Sequence, residues 1–147
     1  MGFKGFTLIE LLVAITILAI LSSIGLVFYN QAEITARDGR RQGDLQESQK
    51  ALEQYYSIFQ KYPDTDAKFY SDANLQASFQ AGAAPKDPTG GNYTYKSCTG
   101  GTKFVLCATL ESCTASNNKC NASGVPADGC SGYATGTAVY CVSSLSN

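Results

Sequence analysis

Histidine is absent from these 147 residues, which removes every histidine-based acid–base pair or triad. No G-x-S-x-G turn occurs among the many serines, so the nucleophile elbow of the α/β-hydrolases is missing too. There is no block of basic residues and the formal charge is −1; sequence-independent nucleic-acid binding has no electrostatic footing. Zinc lacks its ligand spacing, since no C-x2-C pair stands beside the missing histidines. Calcium would need more acids than the chain offers. Asp64 and Asp66 share a turn, but the C-terminal third holds only Glu111 and Asp128. The expectation is a protein that is not an enzyme and carries neither metal nor cofactor.

Charge is scarcest near the N-terminus. From Phe6 to Tyr29, a run of 24 residues, the only formal charge is Glu10. As a helix this run measures about 36 Å, enough to cross a hydrocarbon core of about 30 Å. A carboxylate held in lipid costs about 2.5–3.5 kcal/mol on insertion scales, so Glu10 calls for a partner and marks a functional position. Only five residues precede the run, with Lys4 their single cation. A secretory signal places a small-residue cut after its apolar stretch. Here the small residue, Gly5, lies before it, so cutting after Gly5 keeps the hydrophobic segment and makes Phe6 the new terminus. A plain signal anchor oriented by Lys4 is the simpler alternative.

The stretch Lys4-Gly5-Phe6-Thr7-Leu8-Ile9-Glu10-Leu11-Leu12-Val13 resembles the class III signal of type IV pilins and type II secretion pseudopilins. In that family a prepilin peptidase cuts after the glycine and methylates the exposed amine. The resemblance implies cleavage between Gly5 and Phe6, N-methylation of Phe6, and an assembly role for Phe6 and Glu10. It implies a homopolymer of identical subunits served by the peptidase, a membrane platform and a motor ATPase. The expected location is a surface filament, preceded by a single-pass membrane form with its head outside the cytoplasm. A new α-amino group titrates near 8, so Phe6 and Glu10 carry opposite charges at neutral pH. They pair within one helix or between neighbouring subunits, and the family implies the second.

Residues 6 to about 61 read as one helix, because no proline occurs before Pro63. The division expected is a leader at 1–5, a transmembrane and assembly half at 6–29, an amphipathic half at 30–61, and a head at 62–147. In the amphipathic half, Leu45, Leu52, Tyr56 and Phe59 make one apolar stripe that should pack on the head's sheet. Gly39-Arg40-Arg41-Gln42-Gly43 matches G-x-x-x-G in a charged setting, read as a flexible or closely packed helix turn rather than a membrane dimer face. Many bacterial pilins carry a proline near the level of Val27; this chain lacks it, and Ser22 to Gly25 is the candidate for local melting.

In the head, residues 64–91 read as a connection with one short helix over Asn74 to Gln80. Strands are expected over Asn92 to Ser97, Lys103 to Leu110 and Thr137 to Leu145. The fold class is α+β and pilin-like, a long helix packed on a small antiparallel sheet with a disulfide-stapled C-terminal region. Six cysteines, Cys98, Cys107, Cys113, Cys120, Cys130 and Cys141, all fall in the last 50 residues, a disulfide framework for an exported domain with little core of its own. Pairing of sequence neighbours is the simplest connectivity. A tight hairpin at Gly100-Gly101, however, would place Thr94 and not Cys98 opposite Cys107, which keeps Cys107–Cys141 as a rival. Asn92-Tyr93-Thr94 and Asn121-Ala122-Ser123 match the glycosylation sequon. The tyrosines at 55, 56, 62, 70, 93, 95, 133 and 140 are read as core and sheet residues. The leading function is a type IV pilus subunit, as the major pilin, acting in adhesion, twitching motility or DNA uptake. A pseudopilin is the nearest alternative and a membrane-anchored, disulfide-rich binding protein the next.

Overall fold

A computed structural model of the chain describes residues 5–113 and 138–145. Met1 to Lys4, Cys120, Cys130, the Asn121 sequon, Asp128 and Tyr133 lie outside the described residues. Helix α1 spans Leu8–Phe59 and is helical through Ser22 to Gly25 and through Gly39 to Gly43. It ends because Gln60 takes a left-handed φ of 53°. The Gln60 backbone N–H and side-chain amide turn back onto the Tyr56 carbonyl, and that amide also reaches the Ser57 carbonyl, closing groups the last turn would leave open. Chain contacts divide the molecule into two units, Met1–Thr35 and Ala36–Asn147.

In the first unit, the described large apolar side chains from Phe6 to Tyr29 are exposed, down to 48% for Val13, and Ile34 further along is half-buried. The stretch is long and apolar enough to cross a membrane, and water is a poor solvent for such a surface. Two of its hydroxyls bond within the helix: Thr16 and Ser23 donate to the Val13 and Ile20 carbonyls.

The second unit joins the rest of α1 to two short helices, α2 (Asp66–Ser71) and α3 (Ala73–Gln76), and to a sheet of β1 (Thr94–Cys98), β2 (Lys103–Thr109) and β3 (Val139–Ser143). The strands run antiparallel in the order β1-β2-β3. The β1–β2 register is centred on Gly100-Gly101 and sets Thr94 opposite Cys107, as the hairpin reading requires. Gly101 sits at φ 90°, and its carbonyl accepts the Tyr62 N–H at 2.8 Å. A Cβ there would stand 3.5 Å from the Tyr62 carbonyl oxygen, so the turn is seated on the chain leaving α1.

Alternation along β2 divides two cores. Phe104, Leu106 and Ala108 face a cluster holding Leu45, Leu52, Tyr62, Phe69 and Leu75. Val105 and Cys107 face the other side with Cys98, Val139 and Cys141. The α1 stripe is only half as expected: Leu45 and Leu52 are fully buried, whereas Phe59 is 43% exposed and lies against the Tyr55 ring, centroids 4.4 Å apart. Phe59 is the last helical residue, where the axis has run past the core. Tyr62, Tyr93 and Tyr95 are buried, with Tyr55, Tyr56, Tyr70 and Tyr140 packed against them.

Helix α2 falls where a connection was expected. Thr65 caps it by accepting the Lys68 N–H, and Asp72 caps α3 by accepting from Asn74 and Leu75. Its placement covers the free edge of β1. Asp66 accepts the Tyr95 N–H, while the Tyr70 hydroxyl accepts the Tyr93 N–H and donates to the Tyr93 carbonyl. One helical turn thus satisfies backbone groups that an edge strand would leave open to another chain.

Candidate functional site

Thr7 and Glu10 start the long helix by holding each other. The Glu10 carboxylate accepts the Thr7 N–H at 3.0 Å and the Thr7 hydroxyl at 2.7 Å, and Thr7 Oγ1 accepts the Glu10 N–H at 3.3 Å. This is a capping box, the T-x-x-E arrangement that closes orphan donors at both of its positions. Both bonds to the carboxylate land on Oε2. Among the described residues nothing reaches Oε1. Gly5, Phe6 and Thr7 stand before the first helical residue, non-helical and exposed. The structure therefore brings the three N-terminal site residues into six positions: a peptide link at Gly5–Phe6, a cap at Thr7, and a carboxylate one turn into an apolar helix. The sequence reading named Gly5, Phe6 and Glu10 and missed Thr7, although a threonine three residues before a glutamate at the head of an apolar run is the signal for it.

A second polar cluster lies in the other unit. Arg41, with its side chain 4% exposed, grips Asp87 in the loop before β1 through Nε and Nη2 at 2.6 and 3.0 Å. Its Nη1 reaches Asp38 at 2.8 Å and Glu111 at 2.7 Å. Arg37 takes Glu111 in a second fork, at 3.0 and 2.6 Å. Asp38 also accepts the backbone N–H groups of Glu111 and Ser112, and Asp87 those of the Thr89 backbone and hydroxyl.

The three acids respond alike. The Arg41 guanidinium holds Asp87 far below the usual carboxylate range, and Arg37 and then Arg41 pull Glu111 down to about 2. Burial pushes Asp38 up, but hydrogen bonds from Ser112, Glu111 and Arg41 outweigh it and leave it lowered. The hydrogen bond to Asp87, aided by those to Glu111 and Asp38, keeps Arg41 charged against its burial. Every charge in the cluster faces another charge or a backbone donor, so the cluster clamps α1 to the loop and to the end of β2. The Gly39–Gly43 turn serves this clamp by carrying Arg41. It is not closely packed within the chain, since a Cβ on either glycine would meet nothing within 4 Å.

The cysteines settle differently from the simplest scheme. Cys107 is bonded to Cys141, directly opposite it in the β2–β3 register. That overturns Cys98–Cys107 and Cys130–Cys141, because a hairpin centred on Gly100-Gly101 holds Cys98 against Lys103. Cys98 and Cys113 are also disulfide-bonded, and the expected Cys113–Cys120 link lies outside the described residues. Asp64 and Asp66, weighed for calcium, are engaged elsewhere: Asp64 pairs with Lys68 at 2.6 Å and Asp66 with the Tyr95 N–H.

The chain thus carries a capped apolar helix, long enough to cross a membrane and bearing one carboxylate, ahead of a small disulfide-bonded α+β unit. Among protein-family models, that of the prokaryotic N-terminal methylation motif matches residues 1–26. The match supports the type IV pilin and pseudopilin family, with a class III signal as its hallmark. No curated protein and no solved structure matches the chain.

Proposed function

We propose that this protein is the structural subunit, the major pilin, of a type IV pilus. One observation carries the reading: Glu10 is the only formal charge between Phe6 and Tyr29, on a stretch of helix whose described large apolar side chains are exposed. Removing residues 1–5 gives Phe6 a cationic amine, later methylated. At membrane depth that amine and Glu10 each need an opposite charge. Pairing between copies fixes how far one subunit is displaced along its neighbour, which turns an anchor into a repeating unit. Leaving lipid then costs little, because each apolar helix is buried again among other helices. The head remains outside the cytoplasm and forms the filament's surface, and the partners are the prepilin peptidase, an assembly platform and a motor ATPase.

Electron microscopy of purified surface fibres, with mass spectrometry of their subunit, tests the proposal. Long fibres built from this chain and beginning at methylated Phe6 are the expected result. Fibres whose subunit retains Met1 would overturn it. A deletion strain that keeps its fibres but no longer exports proteins would point to a pseudopilin instead.

A further inference from the structure

We infer that Thr7 is a positioning residue for maturation, holding the start of the helix at Leu8 so that the Gly5–Phe6 bond stays in non-helical backbone where the peptidase can take it. The inference rests on the proposed processing of this chain. Its second support is the geometry already described: Thr7 Oγ1 accepts the Glu10 N–H, the Thr7 N–H is returned to the Glu10 carboxylate, and the two residues upstream are exposed and outside the helix.

The physical reason lies in how a helix begins. Its first four N–H groups have no acceptor within the helix, so a side chain that accepts one of them fixes where the helix starts. With Thr7 in place, its hydroxyl and the Glu10 carboxylate supply acceptors and the helix stops. Without a side-chain acceptor at position 7, the next residue upstream able to cap is Gly5, since glycine ranks close to threonine at this position. The helix then opens at Phe6 and takes the scissile amide into its first turn. Hydrolysis adds water across that amide, with hydroxyl passing to the Gly5 carbonyl carbon and the proton to the Phe6 nitrogen as the C–N bond breaks. A carbonyl and amide committed to a helical turn must unwind first, and exposed irregular backbone is where proteases cut.

The test is a substitution series in the full-length precursor, cleaved by purified prepilin peptidase in detergent, with kcat/KM read from the ratio of precursor to product by mass. Thr7→Val keeps the shape of the side chain and loses the acceptor. Thr7→Ser, Thr7→Asn and Thr7→Asp change the shape and keep it. The expected order is Ser, Asn and Asp near the wild-type chain and Val roughly three- to tenfold slower, the scale of a lost N-cap. Equal rates throughout, or Val near wild type with Asn and Asp slow, would overturn the inference and make residue 7 either neutral or a shape contact of the enzyme. If the wild-type chain is not cut at all, the pilin reading fails and this inference with it. The Cys107–Cys141 bond, followed by mass in each variant, reports that the head has folded.

Discussion

Arg41, on the long helix, and Asp87, 46 residues later in the loop before β1, meet in a two-pronged ion pair inside the head. The pair joins segments that no hydrophobic contact would bring into register so sharply, because the guanidinium fork accepts a carboxylate in one plane only. Asp38 and Glu111 fill the remaining side of Arg41, which lets a cation be buried without being stranded.

Removing Arg41 should therefore be costly. Arg41→Ala leaves Asp38 buried beside Asp87 with their cation gone, and breaking a buried pair from one side destabilises by about 3–5 kcal/mol. Urea unfolding of the full chain in micelles, followed by near-ultraviolet tyrosine signals, measures the loss. Arg37→Ala, at a side chain 27% exposed, should cost far less. Equal losses at the two positions would show that the clamp is not centred on Arg41.

The same cluster sets a pH dependence. Asp87, Asp38 and Glu111 are all lowered in the folded chain, Glu111 to about 2, whereas unfolded carboxyls titrate near 4. Between those values the unfolded chain binds more protons, so stability is present above pH ~4 and is lost as pH falls towards about 2. Unfolding midpoints in urea should drop steadily across that window in the wild type and change less in Arg41→Ala.

Packing on the sheet separates two positions of the same apolar stripe. Leu52 is fully buried and Phe59 is 43% exposed. Leu52→Ala should cost about 2–5 kcal/mol, while Phe59→Ala, at the half-exposed end of the helix, should stay below about 1 kcal/mol. The same micelle unfolding assay compares them.

Local rules made much of this molecule legible in its sequence. A proline-free run with one charge gives the helix and its membrane half, and the paired glycines at 100 and 101 fix the β1–β2 register to the residue. Helix α2 was hidden because its evidence is a single cap, Thr65, in a segment rich in turn formers. The clamp was hidden for a different reason: Asp38 and Arg41 sit together on the helix, but Asp87 and Glu111 are distant acids like any others until the fold gathers them. Cys107–Cys141 was half legible, since the hairpin register excluded Cys98 and nothing local chose Cys141.

That disulfide closes a separation of 34 residues. On the chain-entropy account, a loop of this size restricts the unfolded state by about 3–4 kcal/mol. Replacing both cysteines, Cys107→Ala with Cys141→Ala, should lower stability by about that amount while leaving no free thiol to rearrange. A loss below about 1 kcal/mol would mean that β2–β3 pairing alone holds the strands.

The decisive substitution for assembly is Glu10→Gln, because it separates charge from helix capping. Glutamine serves a capping box as glutamate does, so the Thr7 bonds and the start of the helix are retained and cleavage at Gly5–Phe6 should proceed. What disappears is the negative charge that, in the proposed assembly, meets the Phe6 amine of a neighbouring copy. Glu10→Gln and Glu10→Ala should both yield processed protein that stays in the membrane and builds no fibres. Fibre counts by electron microscopy, set against the N-terminal mass of the membrane-bound protein, distinguish the two steps. Normal fibres from the glutamine variant would remove the charge pair from the account of assembly and leave Glu10 as a helix cap alone.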